Sequence, residues 1–258
     1  MKRTALVTGA SSGIGDAFAR QLAREGWDLV VVARNVSALD ELARELEKHH
    51  GVTVDVLAAD LMVAEDRARV VNRILSEQDV IEMVVNNAGF GTSGPVADQT
   101  TESQVGMVEL NIAAVVDLSC AAVQAMKPRG RGSILNVSSI GGFQASPGFA
   151  VYAATKAFVT SFTTALHEEL RGSGINVTTL CPGFTRTDFQ NRAGGFEATT
   201  LPDFVWQQPA QVAEAALAGL AKNRAVVIPG VLNKSTVGLV KVLPAVAARK
   251  LAKFVAEH

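Results

Sequence analysis

The run Thr4-Ala5-Leu6-Val7-Thr8-Gly9-Ala10-Ser11-Ser12-Gly13-Ile14-Gly15 decides how this chain folds. Its first five residues are short, apolar and partly β-branched, the pattern of a buried strand. From Gly13 to Glu25 the apolar residues Ile14, Ala17, Phe18 and Leu22 recur at helical spacing. A strand, a glycine turn and a helix in that order make a phosphate-binding device. Glycines let the backbone approach a pyrophosphate, and the helix N-terminus offers N–H groups and a positive dipole end. The plain alternative is an ordinary tight turn. The strand before it and the helix behind it are the context that the phosphate reading requires. Gly9, Ser11, Ser12, Gly13, Ile14 and Gly15 are therefore the candidate cradle.

Strands and helices alternate along the rest of the chain. Strands are expected near Thr4–Thr8, Asp28–Ala33, Thr53–Ala58, Met83–Asn86, Ser133–Val137, Asn176–Leu180 and Ala225–Ile228. Helices are expected near Gly13–Glu25, Ala38–His49, Glu65–Glu77, Ser103–Met126, Tyr152–Arg171 and Gln211–Ala221. Such alternation implies an α/β fold, a doubly wound seven-stranded parallel sheet with helices on both faces and ligands at the carboxyl ends of the strands. Dinucleotide-binding folds of this type often place an acid after the second strand to hold the adenosine ribose. This chain has Arg34 there, which can pair with a 2′-phosphate. The reading is NADP(H), with NAD(H) the less favoured choice; a solvated arginine capping the strand end is the plain alternative.

A second cluster carries chemistry. In Tyr152-Ala153-Ala154-Thr155-Lys156, Tyr152 and Lys156 are one helical turn apart and share a face. A phenol has a reference pKa of about 10. A neighbouring ammonium favours the phenolate, so Lys156 is expected to lower the pKa of Tyr152. Ser139 lies upstream, where its hydroxyl can bond a substrate oxygen. Together these are parts for proton transfer in carbonyl/alcohol chemistry. A surface helix pair is the plain reading of Tyr-x-x-x-Lys alone.

These residues resemble the short-chain dehydrogenase/reductase family, and the match runs along most of the chain. The turn Thr8-Gly9-x-x-x-Gly13-x-Gly15 has the spacing of its branch with single-domain subunits. Asp60-Leu61 resembles the adenine-contact pair after the third strand, and Asn86-Asn87-Ala88-Gly89 the motif that ends the fourth. Asn111 stands where the family keeps a catalytic asparagine. The step from Asn136-Val137-Ser138-Ser139 to Tyr152 selects Ser139, not Ser138, as the active-site serine. Pro182-Gly183-Phe184-Thr185-Arg186-Thr187 resembles the loop that holds the nicotinamide. The resemblance implies a Rossmann fold, an NAD(P)-dependent oxidoreductase acting on CH–OH groups, and Asn111, Ser139, Tyr152 and Lys156 as the catalytic set. It adds Asp60, Leu61, Asn87, Ala88, Gly89, Pro182, Gly183, Thr185 and Thr187 to the cofactor contacts, with Tyr152 and Lys156 serving both roles. It gives Tyr152 the proton, Ser139 the substrate oxygen, Lys156 the nicotinamide ribose, and Asn111 a water leading to solvent. One departure stands out. Many NADP-using members carry a basic residue inside the turn, and this chain has Ser12, so the assignment rests on Arg34. The competing class is a dinucleotide-binding redox sensor or scaffold, which commonly lacks part of the set that is complete here.

Composition bounds the rest. A chain of 258 residues with 48% hydrophobic and 19% charged content suits one globular domain, residues 1–258. Net charge of −1 gives no case for nucleic acid. Cys120 and Cys181 show no metal spacing and read as buried thiols of a reducing, cytoplasmic compartment. A metal-dependent alcohol dehydrogenase needs cysteine and histidine ligands that this sequence does not supply. His49 and His50 fall at a helix end, where cations suit the dipole, and His167 reads as structural. The fold is expected to begin at the first strand with no secretory leader before it, and no uninterrupted apolar run reaches the length of a membrane span.

Residues 188–208 form the least regular stretch and are expected to be a substrate lid. Phe90, Phe143, Phe149, Phe184, Phe189 and Trp206 lie near the motifs. Each taken singly reads first as a core residue; together they would line an apolar pocket for a fatty-acyl, steroid-like or aromatic carbonyl or alcohol. Small apolar residues on the helices of Asn111 and Tyr152, among them Ala113, Ala121 and Ala157, allow close helix approach, and the family pairs subunits there, so a homodimer or homotetramer is expected. Residues 233–258 form a basic amphipathic extension. It is expected to pack on the protein, with peripheral membrane contact as the alternative.

Overall fold

The computed structural model describes residues 3–194 and 202–242. The described residues build one sheet of seven strands: β1 (Thr4–Thr8), β2 (Asp28–Ala33), β3 (Val54–Ala58), β4 (Ile81–Asn86), β5 (Gly132–Val137), β6 (Ile175–Leu180) and β7 (Val226–Val227). Their order is β3-β2-β1-β4-β5-β6-β7, and every pairing is parallel. The chain therefore winds outward from β1 in one direction, returns to lay β4 on the other side of β1, and winds outward again. The crevice at that reversal is where this topology binds ligands.

Helices α1 (Gly13–Arg24), α2 (Val36–His50), α3 (Ala64–Leu75), α4 (Thr101–Val108), α5 (Ala114–Met126), α6 (Ala150–Glu169), α7 (Phe189–Ala193), α8 (Pro209–Ala221) and α9 (Val231–Val242) connect or follow the strands. The strand side chains alternate between two cores, as the two-residue period demands. Ala5, Val7, Leu29, Val31 and Val85 face one way, onto Phe18, Leu22, Leu39 and Leu217 of α1, α2 and α8. Leu6, Val30, Val32 and Val84 face the other, onto Ile74, Leu118, Met126 and Leu166 of α3, α5 and α6. Burying one such large side chain contributes roughly 1.5–3 kcal/mol.

Three helices start two residues earlier than periodicity suggests, where capping chemistry sets them. Asn35 accepts from the N–H of Ala38 at 3.2 Å, which starts α2 at Val36. Thr100 accepts from Ser103 at 3.2 Å, which starts α4 at Thr101. Pro209 takes the first position of α8, and the side chain of Gln211 accepts from the N–H of Gln208 at 3.2 Å. The helix expected over Ser103–Met126 is not uniform: a π turn, Glu109–Ala113, separates α4 from α5 and contains Asn111.

The run Thr101–Arg129 is long and apolar enough to cross a membrane by length and composition, yet 44% of its most apolar window is buried inside the protein. Its inner face packs on α3 and β4, as a core helix does. Cys120 departs from expectation. It is exposed, because the packed stripe of α5 runs through Leu118, Ala121 and Ala122 and leaves Asp117, Cys120 and Gln124 outside. Cys181 is buried at the end of β6. Within the stretch 188–208, α7 and a short 3₁₀ turn (Asp203–Val205) flank residues 195–201, which lie outside the described residues. Of the C-terminal extension, the part beyond Val242 also lies outside them.

Candidate active site

The glycine turn is shaped by contacts that exclude side chains. Gly9 and Gly13 have φ of +67° and +61°, the left-handed region that favours glycine. A β-carbon on Gly15 would fall 2.1 Å from the carbonyl oxygen of Gly9. Ser12 makes no side-chain cap to α1, so the first N–H groups of that helix face the crevice without a capping oxygen. Thr8 ties the turn to β4. Its hydroxyl oxygen accepts from the N–H groups of Asn87 at 2.9 Å and Ala88 at 3.0 Å. Asn87 Nδ2 donates to the Thr8 carbonyl at 2.9 Å.

Across the crevice, the loop after β6 closes on the turn: a β-carbon on Gly13 would lie 3.0 Å from Thr187 Cγ2. Thr185 is buried and donates to the Gly183 carbonyl at 3.1 Å, while Pro182 accepts from the N–H of Ile140 at 3.0 Å. At the end of β2, Arg34 is 69% exposed and stands 3.7 Å from Asp60. Asp60 Oδ1 accepts from the N–H of Met62 at 3.0 Å, and Leu61 is buried beside it. The turn, the uncapped helix end, Arg34 and the 182–187 loop thus all follow the carboxyl ends of the strands. A dinucleotide fits that donor set, with phosphate at the helix end and further anionic charge at Arg34.

Asn111, Ser139, Tyr152 and Lys156 come together beyond the ends of β4 and β5. Gly89 separates two of them: a β-carbon there would lie 2.9 Å from Asn111 Oδ1 and 3.3 Å from Lys156 Nζ. The buried Asn111 side chain is held from both ends by Phe90, donating to its carbonyl at 2.9 Å and accepting from its N–H at 3.2 Å. It also donates to Thr155 at 3.1 Å, and Thr155 donates to the Tyr152 carbonyl at 2.7 Å. Ser139 accepts from the N–H of Gly141 at 3.0 Å, with the Tyr152 hydroxyl near enough to feel its own hydroxyl. Ser138 turns the other way and donates to the Lys156 carbonyl at 2.7 Å. Lys156 donates to the Val137 carbonyl at 3.0 Å, with its ammonium 5.8 Å from the centroid of the Tyr152 ring.

Burial dominates the electrostatics. It pushes the Tyr152 phenol up to about 12, against the opposite pull of its bond to Ser139. It pushes Lys156 down to about 8, with the nearby Cys181 pulling weakly the other way. The expectation that Lys156 leaves Tyr152 with a lowered pKa is therefore corrected: taking the phenolate out of water costs more than the ammonium at this distance returns.

None of the six aromatic residues near the motifs is a core residue; all are half-buried. Phe149 and Phe189 flank Tyr152, with ring centroids 6.3 Å and 5.5 Å from its own. Phe184 instead pairs with Trp206 at 5.6 Å. Phe90 lies towards Met62 and Gly106. His167 bonds the Val177 carbonyl through Nδ1 at 2.7 Å. Among the described residues no cluster of three His, Cys, Asp or Glu side chains gathers in a metal-binding arrangement. Sequence reading missed Thr155 and Asn233. The first lay inside a motif whose outer residues drew attention; the second sits on α9, with no motif to mark it.

A family model described as short chain dehydrogenase matches residues 3–197. An uncharacterised oxidoreductase of Staphylococcus epidermidis is 33% identical over 210 residues, 79% of this chain and 89% of that one. Among solved structures, a short-chain dehydrogenase from Sphingobium yanoikuyae in complex with NADPH is 37% identical, with a TM-score of 0.84 over 94% of this chain and 96% of that one. A bulky-bulky ketone specific alcohol dehydrogenase from Comamonas testosteroni is 36% identical, with a TM-score of 0.80 over 94% of this chain and 95% of that one. With a parallel seven-stranded sheet, a glycine turn at its point of reversal and a matching family model over most of its length, the chain belongs to the short-chain dehydrogenase/reductase family and is an oxidoreductase of that type.

Proposed function

We propose that this protein is an NADP(H)-dependent oxidoreductase that interconverts a hydrophobic ketone and its secondary alcohol. The observation that carries the reading is Tyr152, set beside Ser139 and walled by the rings of Phe149 and Phe189. Aromatic walls suit a fatty-acyl, steroid-like or aromatic substituent beside the reacting carbon. The related Comamonas enzyme, named for bulky-bulky ketones, supports the same substrate class.

NADP(H), when bound, supplies or receives the hydride. Gly9, Ser11, Ser12, Gly13, Ile14 and Gly15 hold the pyrophosphate on the α1 terminus. Asp60, Leu61 and Asn87-Ala88-Gly89 border the adenosine and ribose, and Pro182, Gly183, Thr185 and Thr187 border the nicotinamide. Arg34 takes the 2′-phosphate. Its contact with Asp60, long and solvent-exposed, is weak enough to yield to a phosphate dianion. The NADPH complex of the Sphingobium relative supports this choice over NAD(H).

Ser139 and Tyr152 both bond the substrate oxygen, and their donors stabilise charge as it develops there. A phenol raised to about 12 keeps its proton at neutral pH, which suits Tyr152 to donate that proton in ketone reduction. Lys156 binds the nicotinamide ribose, and its ammonium favours the phenolate that donation leaves behind. Asn111 holds a water that resupplies protons from solvent. The whole chain acts as one unit, with residues 188–208 as the lid over the substrate. We place it in the cytoplasm, the setting that its sparse cysteine content suits. A homodimer or homotetramer is supported by exposed Val105, Val108 and Phe158 on α4 and α6, the last stacked on Phe162 at 5.8 Å.

Four tests follow from these assignments. Tyr152→Phe deletes one hydroxyl. It should bind NADPH as the native enzyme does and lose turnover by ~10²-fold or more on a ketone panel; near-native turnover removes Tyr152 from the acid–base role. Arg34→Asp should weaken NADPH by ~1.5–3 kcal/mol and shift preference towards NADH. Equal affinity of the native protein for both cofactors sinks the NADP(H) reading.

Stability against pH tests the buried lysine. The folded chain releases the Lys156 proton near pH 8, whereas the unfolded chain holds it to about 10.5. Between those values the unfolded state binds more protons, so stability rises with pH, and it is lost as pH falls through about 8. Tyr152 opposes this only above about pH 10, where the unfolded phenol ionises and the folded one stays neutral. In urea melts the native protein should gain stability relative to Lys156→Met as pH rises from 8 to 10; a constant gap contradicts the shift. Sedimentation at micromolar concentration should give a dimer or tetramer, and a monomer alone would refute the assembly.

A further inference from the structure

We propose that Asn233 is a positioning residue for the 182–187 loop, gripping it through Gln207 and fixing it for the nicotinamide half of the cofactor. The inference rests on the NADP(H) reading above. It starts from an anomaly in α9. This helix is largely open, with Val231 79%, Leu232 47% and Leu239 56% exposed, yet its inward face sets Asn233 at 6% exposure beside Val237. An anchor needed only for packing would be apolar, as Val237 is, because a buried amide costs free energy unless it is bonded. Asn233 is bonded: Nδ2 donates to Gln207 Oε1 at 3.0 Å and to the Pro229 carbonyl at 2.8 Å.

Both of its neighbours lead to the loop. Gln207 is stitched along the loop backbone: its N–H donates to the Phe184 carbonyl at 2.9 Å, its carbonyl accepts from Arg186 at 2.9 Å, and it bridges Thr185 in parallel. The second neighbour is Gly183 itself. A β-carbon there would fall 2.4 Å from Asn233 Oδ1, so the approach exists only because the position is glycine. Gly230, at φ +82°, clears the same space on the other side, where a β-carbon would lie 2.9 Å from Gln207 Nε2. The amide thus fills the angle between Gly183 and Gln207. Removing it leaves two carbonyl oxygens without that donor and a gap behind the loop. The glycine turn and Arg34 are carried by β1 and β2, and the loop reaches the turn only at its far end, where Thr187 meets Gly13.

Titration calorimetry with two probes separates this role from general stability. NADPH touches both halves of the site; 2′,5′-ADP carries the adenosine and 2′-phosphate but no nicotinamide. Asn233→Ala should weaken NADPH about tenfold and leave 2′,5′-ADP within about twofold. Gln207→Ala, a milder change at a half-buried side chain, should show the same selective loss, and the double variant should be no worse than either single one. Asn233→Leu keeps the bulk and loses the donor, and should behave like Asn233→Ala. Equal weakening of both probes, or unchanged NADPH affinity in the Gln207→Ala variant, overturns the proposal while leaving the cofactor assignment intact. A native protein that binds 2′,5′-ADP and NADPH no better than NADH overturns the cofactor assignment, and the proposal with it.

Discussion

The seam between β1 and β4 is the constraint on which the rest of the molecule depends. These strands are neighbours in space and far apart in sequence, and no short connection joins them. Their pairing stops where both chains must turn away, and at that point the Thr8 hydroxyl takes two N–H groups from Asn87 and Ala88. Asn87 returns a bond to the Thr8 carbonyl. Three polar contacts thus close the top of the seam, where the backbone would otherwise meet water or remain unpaired. The glycine turn starts from that closure, and so does the strand end that leads through Gly89 to Asn111 and Lys156. Phosphate cradle and proton-transfer site therefore share one foundation.

The chemistry around Tyr152 is arranged as a set of mutual positions. Asn111 is fixed by Phe90 on one side and Thr155 on the other, and Thr155 is fixed by the Tyr152 backbone. Lys156 is aimed by the carbonyl of Val137, the last residue of β5, just before the serine pair. Thr155 and Lys156 are each oriented by backbone of a segment that carries another member of the group. The group therefore shifts as a unit or not at all, which is how a site holds its reacting geometry.

Much of this was legible in the sequence, and the reasons are physical. Strand positions follow from apolar runs, and the phosphate turn from glycines that a strand and a helix bracket. Seven strands and their parallel pairing were readable because alternation leaves few topologies. The π turn at Glu109–Ala113 was not, since its residues are as helix-compatible as those around them; the demand for it comes from Phe90 across the crevice. Exposed Cys120 was misjudged because an apolar helix was taken as apolar on every face, whereas only one stripe packs. The sign of the Tyr152 shift was missed because spacing reports a charge neighbour and says nothing about how much water the fold removes. Gln207 and Asn233 were invisible for a similar reason: their meaning lies in a contact with Gly183 that only the return of α9 creates.

Arg34 has a consequence for how this protein behaves in different solutions. Its guanidinium is mostly in water, and so is the phosphate it would meet. At physiological ionic strength the Debye length is about 8 Å, so the attraction between exposed charges is already damped, and higher salt damps it further. The buried contacts of the glycine turn are screened far less. Cofactor discrimination and cofactor affinity are thus carried by parts of the site with different sensitivity to salt. On the NADP(H) reading, rising ionic strength narrows the choice between the two nicotinamide cofactors by weakening NADPH towards NADH, while the grip that both share at the glycine turn changes less.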